Sequence, residues 1–269
     1  MNDKVRRHLR LRFAIGMMPG QARPAGARNT PEHQRLARQI AEEAIVLLKN
    51  RGLLPLDKGA LKRVAVLGAN ANRKQAGGGG SSEVKPPNEI TPYAGLAEAL
   101  AGKAVVELAD DIDDKLPGPD RPASQKTLEL ARSADAVVYV TGLNKTLDTE
   151  GADRTSLAIP AADCRVLEQV LGVNPRMVVV VLAGSPVEMP WKDRAAAILY
   201  ASYLGQEAGR ALAGVLLGDV NPSGRLAVTF PQNLTDSPAH AVPDGYLPTT
   251  SVYREGIFLG YRWFDAKKI

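Results

Sequence analysis

The sequence contains one cysteine, Cys164, and three histidines, His8, His33 and His240, which lie far apart. A single thiol builds neither a disulfide framework nor a thiolate metal cluster, and the histidines show no HExxH-type spacing. Zinc chemistry and a Cys–His nucleophile therefore find no support, and no metal or organic cofactor is expected. Apolar runs are short. None approaches the ~20 residues needed to span a bilayer, and the basic N-terminus lacks the apolar stretch and small-residue cleavage site of a signal peptide. No membrane partner is expected. Aromatic residues are only 5% of the chain and no basic stripe interleaves with them, so nucleic acid is not expected either. The net charge of +5 is mostly local, because Lys4, Arg6, Arg7, Arg10 and Arg12 crowd into the first dozen residues.

Phosphate-binding signatures are missing too. The run Gly77-Gly78-Gly79-Gly80-Ser81-Ser82 is followed by no Gly-Lys-Ser/Thr and so is not a P-loop. No G-x-G-x-x-G opens a helix after a strand, which removes the dinucleotide fingerprint. What remains is a flexible loop whose backbone can approach a ligand, or a plain surface loop.

What is present is an alternation of helical and apolar segments. Residues 3–18 predict a basic amphipathic helix with Val5, Leu9 and Phe13 on one face, read as docking outside its own domain in preference to a membrane-surface or organelle-targeting segment. Residues 19–30, rich in Gly, Pro, Ala and Arg, read as a linker. Thr30 as N-cap and Pro31 at the first position open a helix expected to run to about Lys49, stopped by Asn50-Arg51-Gly52. Strands are expected at 63–68, 103–108, 136–142, 177–183 and 226–230, with a further apolar run at 195–201. Helices are expected at 91–101, 124–132, 161–171 and 206–217, and residues 110–122 form a loop. Continuous apolar strands alternating with helices indicate an α/β fold: a mainly parallel sheet with helices on both faces, an α/β/α sandwich. The expected organisation is a helix and linker over 1–30, the sandwich over 31–235, and an aromatic-rich extension over 236–269.

One loop concentrates the chemistry. Leu147 to Arg154 carries Asp148, Glu150, Asp153 and Arg154 around Gly151, just after the apolar run 136–142. Acidic groups beyond the carboxyl end of a buried strand are placed where open α/β sheets put their active sites. From the residues alone, Glu150 is either a proton donor or a solvated loop carboxylate. Asp153 and Arg154 suit a local ion pair or a backbone brace. Glu207 is explained by the helix dipole, and Cys164 by burial in a core.

Several segments, in order, resemble the C-terminal α/β sandwich domain of glycoside hydrolase family 3, the β-glucosidase and β-xylosidase family. They are Ala37 to Asn50 with Leu54-Pro55-Leu56; Gly79-Gly80-Ser81-Ser82; Glu150-Gly151-Ala152-Asp153-Arg154 with Leu157 to Pro160; Gly205-Gln206-Glu207-Ala208-Gly209; Gly218 to Leu226 running to Thr229-Phe230-Pro231; and Tyr253 to Arg262. A departure is Leu204, where the family has proline before Gly205. The resemblance implies that Glu150 is the general acid/base of a retaining β-glycosidase, with Asp148 and Glu83 weaker candidates and Ser81 and Ser82 close to substrate. The implied substrate is a terminal β-linked glucoside or oligosaccharide. Members ordinarily carry the nucleophilic aspartate on a (β/α)8 barrel, so the implied partner is such a barrel, and this chain reads as a fragment or one piece of a split enzyme. The nucleophile is in none of these 269 residues. The alternative is a non-catalytic carbohydrate-binding or interaction domain.

Overall fold

The computed structural model describes residues 1–21, 25–109, 122–152, 154–240, 246–247, 250–251, 253 and 255–269. The expected loop at 110–122 lies outside them except for Pro122, and so does Asp153. The chain divides into two compact units, Met1–Gln34 and Arg35–Ile269. In the first unit, α1 (Asn2–Ala14) buries none of its residues, and Val5, Leu9 and Phe13 are exposed.

The second unit is built on a six-stranded sheet. Its strands are β1 (Val46–Asn50), β2 (Arg63–Leu67), β3 (Val105–Ala109), β4 (Ala136–Gly142), β5 (Met177–Leu182) and β6 (Ala197–Tyr200), in the order β1-β6-β5-β4-β2-β3. All neighbours are parallel except β1, which pairs antiparallel with β6. The central strands are continuous apolar runs because both faces are covered: every residue of β4 and β5 is buried. One core gathers side chains from α2 (Pro31–Ala44), α3 (Pro92–Ala99) and α6 (Ala208–Leu216). The opposite core gathers α4 (Gln125–Ser133) and α5 (Ala161–Val173), with Tyr139 and Trp191 at its centre.

Local chemistry sets the helix starts. The Thr30 hydroxyl accepts from His33 N–H ahead of Pro31, Thr91 caps α3 through Ala94 N–H, and Ser124 caps α4 through Thr127 N–H. Each satisfies an otherwise orphaned amide of the first turn. Helices α3 and α6 meet backbone to backbone. A β-carbon on Gly95 would stand 2.1 Å from the Gly209 carbonyl, and one on Gly209 would stand 2.0 Å from that of Thr91.

Two expectations are corrected. The helix opened by Pro31 ends at Ala44, and Val46–Asn50 is a strand. Leu47 and Leu48 fit the helical spacing, but pairing with β6 at the sheet edge satisfies the backbone and overrides that periodicity. Leu226–Phe230 forms no strand. It finds no ladder partner among the described residues, and Leu226 and Val228 remain exposed. The tail beyond it holds a short pair, β7 (Tyr246–Leu247) and β8 (Thr250–Ser251), and a last helix, α7 (Tyr261–Lys267). The Trp263 indole N–H donates to the Asp236 carbonyl at 3.0 Å.

Candidate active site

The parallel strands follow the order 2-1-3-4-5, so successive strands are added in opposite senses on either side of the β2–β4 pair. Open α/β sheets bind ligands at that switch point, outside the carboxyl ends of the strands. Four loops converge there: 68–82 after β2, 143–160 after β4, 183–187 after β5 and 201–205 after β6. Their tips line a shallow cleft of about 440 Å³ bounded by Gly77, Gly78, Ser82, Asp148, Glu150 and Tyr203. A larger hollow of about 1030 Å³ lies under the tail between 226–231 and 255–264, but its lining is mostly apolar and comes mainly from the tail.

The stem of the loop after β4 is a turn organised by buried Asn144. Its side-chain oxygen accepts from Thr146 and Leu147 N–H, and its carbonyl accepts from Asp148 N–H. The tip is zipped to the glycine loop. Gly79 N–H donates to the Asp148 carbonyl at 3.0 Å, and Gly79 bridges Thr149 in parallel register. A β-carbon at Gly79 would lie 2.1 Å from the Lys145 carbonyl, so the two loops approach this closely only because residue 79 is glycine.

Glu150 is exposed and anchored at one carboxylate oxygen by Ser81. The Ser81 N–H donates to Oε2 at 2.9 Å and its hydroxyl donates to the same oxygen. These two bonds, the hydroxyl's first, hold the carboxyl below its ordinary value. A raised pKa, the condition expected of a resting proton donor, is therefore not met within this chain. Glu83 is also held low, by its hydrogen bond and ion pair with Lys145 at 2.9 Å, and it points away into that pair. Ser82 braces the loop instead, its hydroxyl donating to the Gly79 carbonyl.

Asp148 sits deeper. Its Oδ2 accepts from Gly184 N–H at 2.8 Å and Tyr203 O–H at 2.9 Å, and its Oδ1 from the Ser185 hydroxyl at 3.4 Å. Burial, and then the bond to Asp148, push the Tyr203 phenol far above its ordinary value. Arg154 donates to the Ser185 hydroxyl at 2.9 Å and the Pro186 carbonyl at 3.1 Å. It is a brace between the acidic loop and the loop after β5.

Three groups were not singled out from the sequence. Tyr203 could have been found, being a polar aromatic at the carboxyl end of an apolar run. Glu89 carries no such signal; burial raises its carboxyl while the Ala76 and Gln75 amides and Lys74 oppose this. Asp163, third residue of α5, is fully buried against β4. It accepts from Tyr139 O–H at 2.7 Å and from Thr141 Oγ1 at 2.5 Å, both on β4. Burial raises its carboxyl to about 6, against those hydrogen bonds, the Ala69 amide and the Arg73 charge. Among the described residues no cluster of three or more His, Cys, Asp or Glu side chains could hold a metal, and no helix is long and apolar enough to cross a membrane.

Residues 45–261 match the Glycosyl hydrolase family 3 C-terminal domain. The chain is 39% identical over 288 aligned residues to beta-glucosidase BoGH3A of Bacteroides ovatus, covering 100% of this chain and 38% of that protein. It is 40% identical to thermostable beta-glucosidase B of Acetivibrio thermocellus over 88% of this chain and 31% of that protein. The chain thus spans about a third of the length of these relatives. Among solved structures, the GH3 beta-glucosidase of Bifidobacterium adolescentis superposes with a TM-score of 0.76 at 36% identity, over 90% of this chain and 35% of that one. DesR, a beta-glucosidase from Streptomyces venezuelae, superposes at 0.85 over 97% and 46%; at 23% identity that likeness concerns the fold alone. Fold and sequence agree, and the chain belongs to glycoside hydrolase family 3, of which it carries the C-terminal domain.

Proposed function

We propose that this chain supplies the general acid/base, Glu150, of a retaining β-glycosidase of β-glucosidase type that hydrolyses terminal β-D-glycosides. The observation that carries this is placement. Glu150 is an exposed carboxylate at the tip of the loop after β4, at the switch point of the sheet, steadied by Ser81 from the facing loop. Its partner is a (β/α)8 barrel bearing a nucleophilic aspartate, with residues 1–30 as the helix and linker that lead from it. Retaining hydrolysis needs the two carboxyl groups about 5 to 5.5 Å apart. In the first step the aspartate attacks the anomeric carbon, and protonated Glu150 gives its proton to the departing glycosidic oxygen. In the second, ionised Glu150 takes a proton from water as that water displaces the aspartate.

The Ser81 bonds favour the ionised form, which suits the second step. Docking of the barrel supplies what the first step needs, since a nearby carboxylate and exclusion of water both raise a carboxyl's pKa. No metal or organic cofactor enters either step. A second function, a non-catalytic carbohydrate-binding or interaction domain, is favoured by one observation: within this chain Glu150 is stabilised as a carboxylate, not as an acid.

Hydrolysis of nitrophenyl and alkyl β-glucosides by this chain alone, and with a barrel domain supplied, separates the two. The proposal predicts activity only with the barrel, and a loss on Glu150→Gln that grows as the leaving group becomes poorer. Activity with the barrel that is unchanged by Glu150→Gln on a poor leaving group overturns the acid role. Glucoside binding without hydrolysis in either arm supports the second function.

A further inference from the structure

Asp148 lies two residues before Glu150 and is chemically the same kind of group, yet its surroundings differ. Both donors on its Oδ2 come from other loops: the Gly184 N–H after β5 and the Tyr203 O–H after β6. An amide N–H can only donate, so that oxygen is committed as an acceptor. Its backbone carbonyl is engaged as well, by Gly79 N–H. One residue thereby ties together all four loops that line the cleft.

The packing around this tie leaves no slack. A β-carbon at Gly184 would lie 2.8 Å from Asp148 Oδ2 and 3.0 Å from the Tyr203 ring. One at Gly78 would lie 3.2 Å from the Asp148 carbonyl and 3.5 Å from the same ring. The Tyr203 ring is wedged between the two glycines with its hydroxyl on Asp148, and its exposed edge forms a wall of the cleft.

We propose that Asp148 is a positioning residue: with Gly184 and Tyr203 it latches the stem of the Glu150 loop and fixes where that carboxyl meets the glycosidic oxygen. This rests on Glu150 being the acid/base. It also assigns Asp148 no proton-transfer step, although its sequence position suits one. A donor displaced by about 1 Å loses up to about 100-fold in rate through misalignment. In kcat/KM, which reports the first step, that loss falls on substrates that need protonation and spares those whose leaving group departs unaided; hydrolysis of the glycosyl-enzyme, which needs the same carboxylate as base, slows for both.

The test uses Asp148→Asn, Tyr203→Phe and Gly184→Ala, with Glu150→Gln as reference. In this chain, amide exchange read by NMR at Gly79 and, where it is retained, at Gly184 reports the latch. Faster exchange is expected in Asp148→Asn and, to a lesser degree, in Tyr203→Phe, which removes a single hydroxyl and preserves the packing. With the barrel supplied, the latch predicts a fall in kcat/KM of about 10- to 100-fold on an alkyl β-glucoside. For the dinitrophenyl β-glucoside kcat/KM should change less than about threefold, while kcat and KM fall together because hydrolysis of the glycosyl-enzyme is slowed. Equal losses of kcat/KM on both substrates, or a rise in KM with kcat unchanged, overturn the positioning role. If Glu150→Gln itself shows no dependence on the leaving group, the acid assignment fails and the positioning role falls with it. The exchange data then still decide whether the latch exists. Unchanged exchange in Asp148→Asn overturns the latch regardless of kinetics.

Discussion

Replacing Asp163 by asparagine should make the domain more stable at neutral pH relative to the native chain, and leave it little changed at pH 4. Asp163 is fully buried, and the groups facing it are Tyr139 and Thr141 on β4, the Ala69 amide and Arg73 on the loop after β2, and the neighbouring Cys164. Their donors do not fully offset the loss of water, so the carboxyl rises from 3.8 to about 6. That gap corresponds to about 3 kcal/mol favouring the protonated form. Because the folded-state pKa is the raised one, the stability it confers is complete below pH 3.8 and lost as pH climbs through about 6. Asparagine cannot ionise. The difference between native and variant unfolding free energies should therefore shift by about 3 kcal/mol between roughly pH 4 and 7, against the native chain, and then level off. Other carboxylates, including Glu150 and Asp135 whose pKa values are lowered, titrate in both proteins and cancel. Urea unfolding followed by tryptophan fluorescence at several pH values gives this difference directly. A difference independent of pH, or one that moves in favour of the native chain as pH rises, would show that the donors and Arg73 outweigh burial and would refute the reasoning.

Two other outcomes follow from packing and burial. Gly209→Ala places a methyl 2.0 Å from the Thr91 carbonyl where α6 meets α3; overpacking of this kind costs about 1–3 kcal/mol, measurable as a lowered thermal midpoint with the far-ultraviolet spectrum retained. Cys164 is half-buried, and burial first, then Glu168 and Asp163, raise its thiol to about 11. At pH 8 the thiolate should be roughly a hundredfold scarcer than in an ordinary cysteine, and alkylation by iodoacetamide correspondingly slower; labelling at the rate of a free thiol would contradict that burial.

The parts of the fold visible in the sequence were those in which local pattern and tertiary role coincide. Ala136–Gly142 is a strand with the boundaries read from its apolar run, because a strand buried on both faces leaves no polar position inside it. Thr30, Thr91 and Ser124 mark helix starts because capping is a contact of near neighbours. Val46–Asn50 and Leu226–Phe230 were misjudged because each depends on a partner far along the chain: β6 is present for the first, and no ladder partner appears for the second among the described residues. The candidate site was legible to the extent that one loop held it. Glu150 stood out by position and by resemblance, and Ser81 with it. Asp148's true company, Gly184 and Tyr203, lies 36 and 55 residues away, and Asp163 meets Thr141 and Tyr139 across 22 and 24. No local spacing encodes such meetings. The lowered pKa of Glu150 was likewise hidden, because it comes from the Ser81 hydrogen bonds made only once the two loops are zipped together.

The role of Glu150 is tested most directly by chemical rescue. With the barrel supplied, Glu150→Ala should turn over a dinitrophenyl β-glucoside slowly, limited by hydrolysis of the glycosyl-enzyme, because no base remains to activate water. Added azide needs no base and should restore turnover, yielding the β-glucosyl azide with retained configuration. Absence of rescue, or a product of inverted configuration, would contradict a general acid/base at Glu150 of a retaining enzyme.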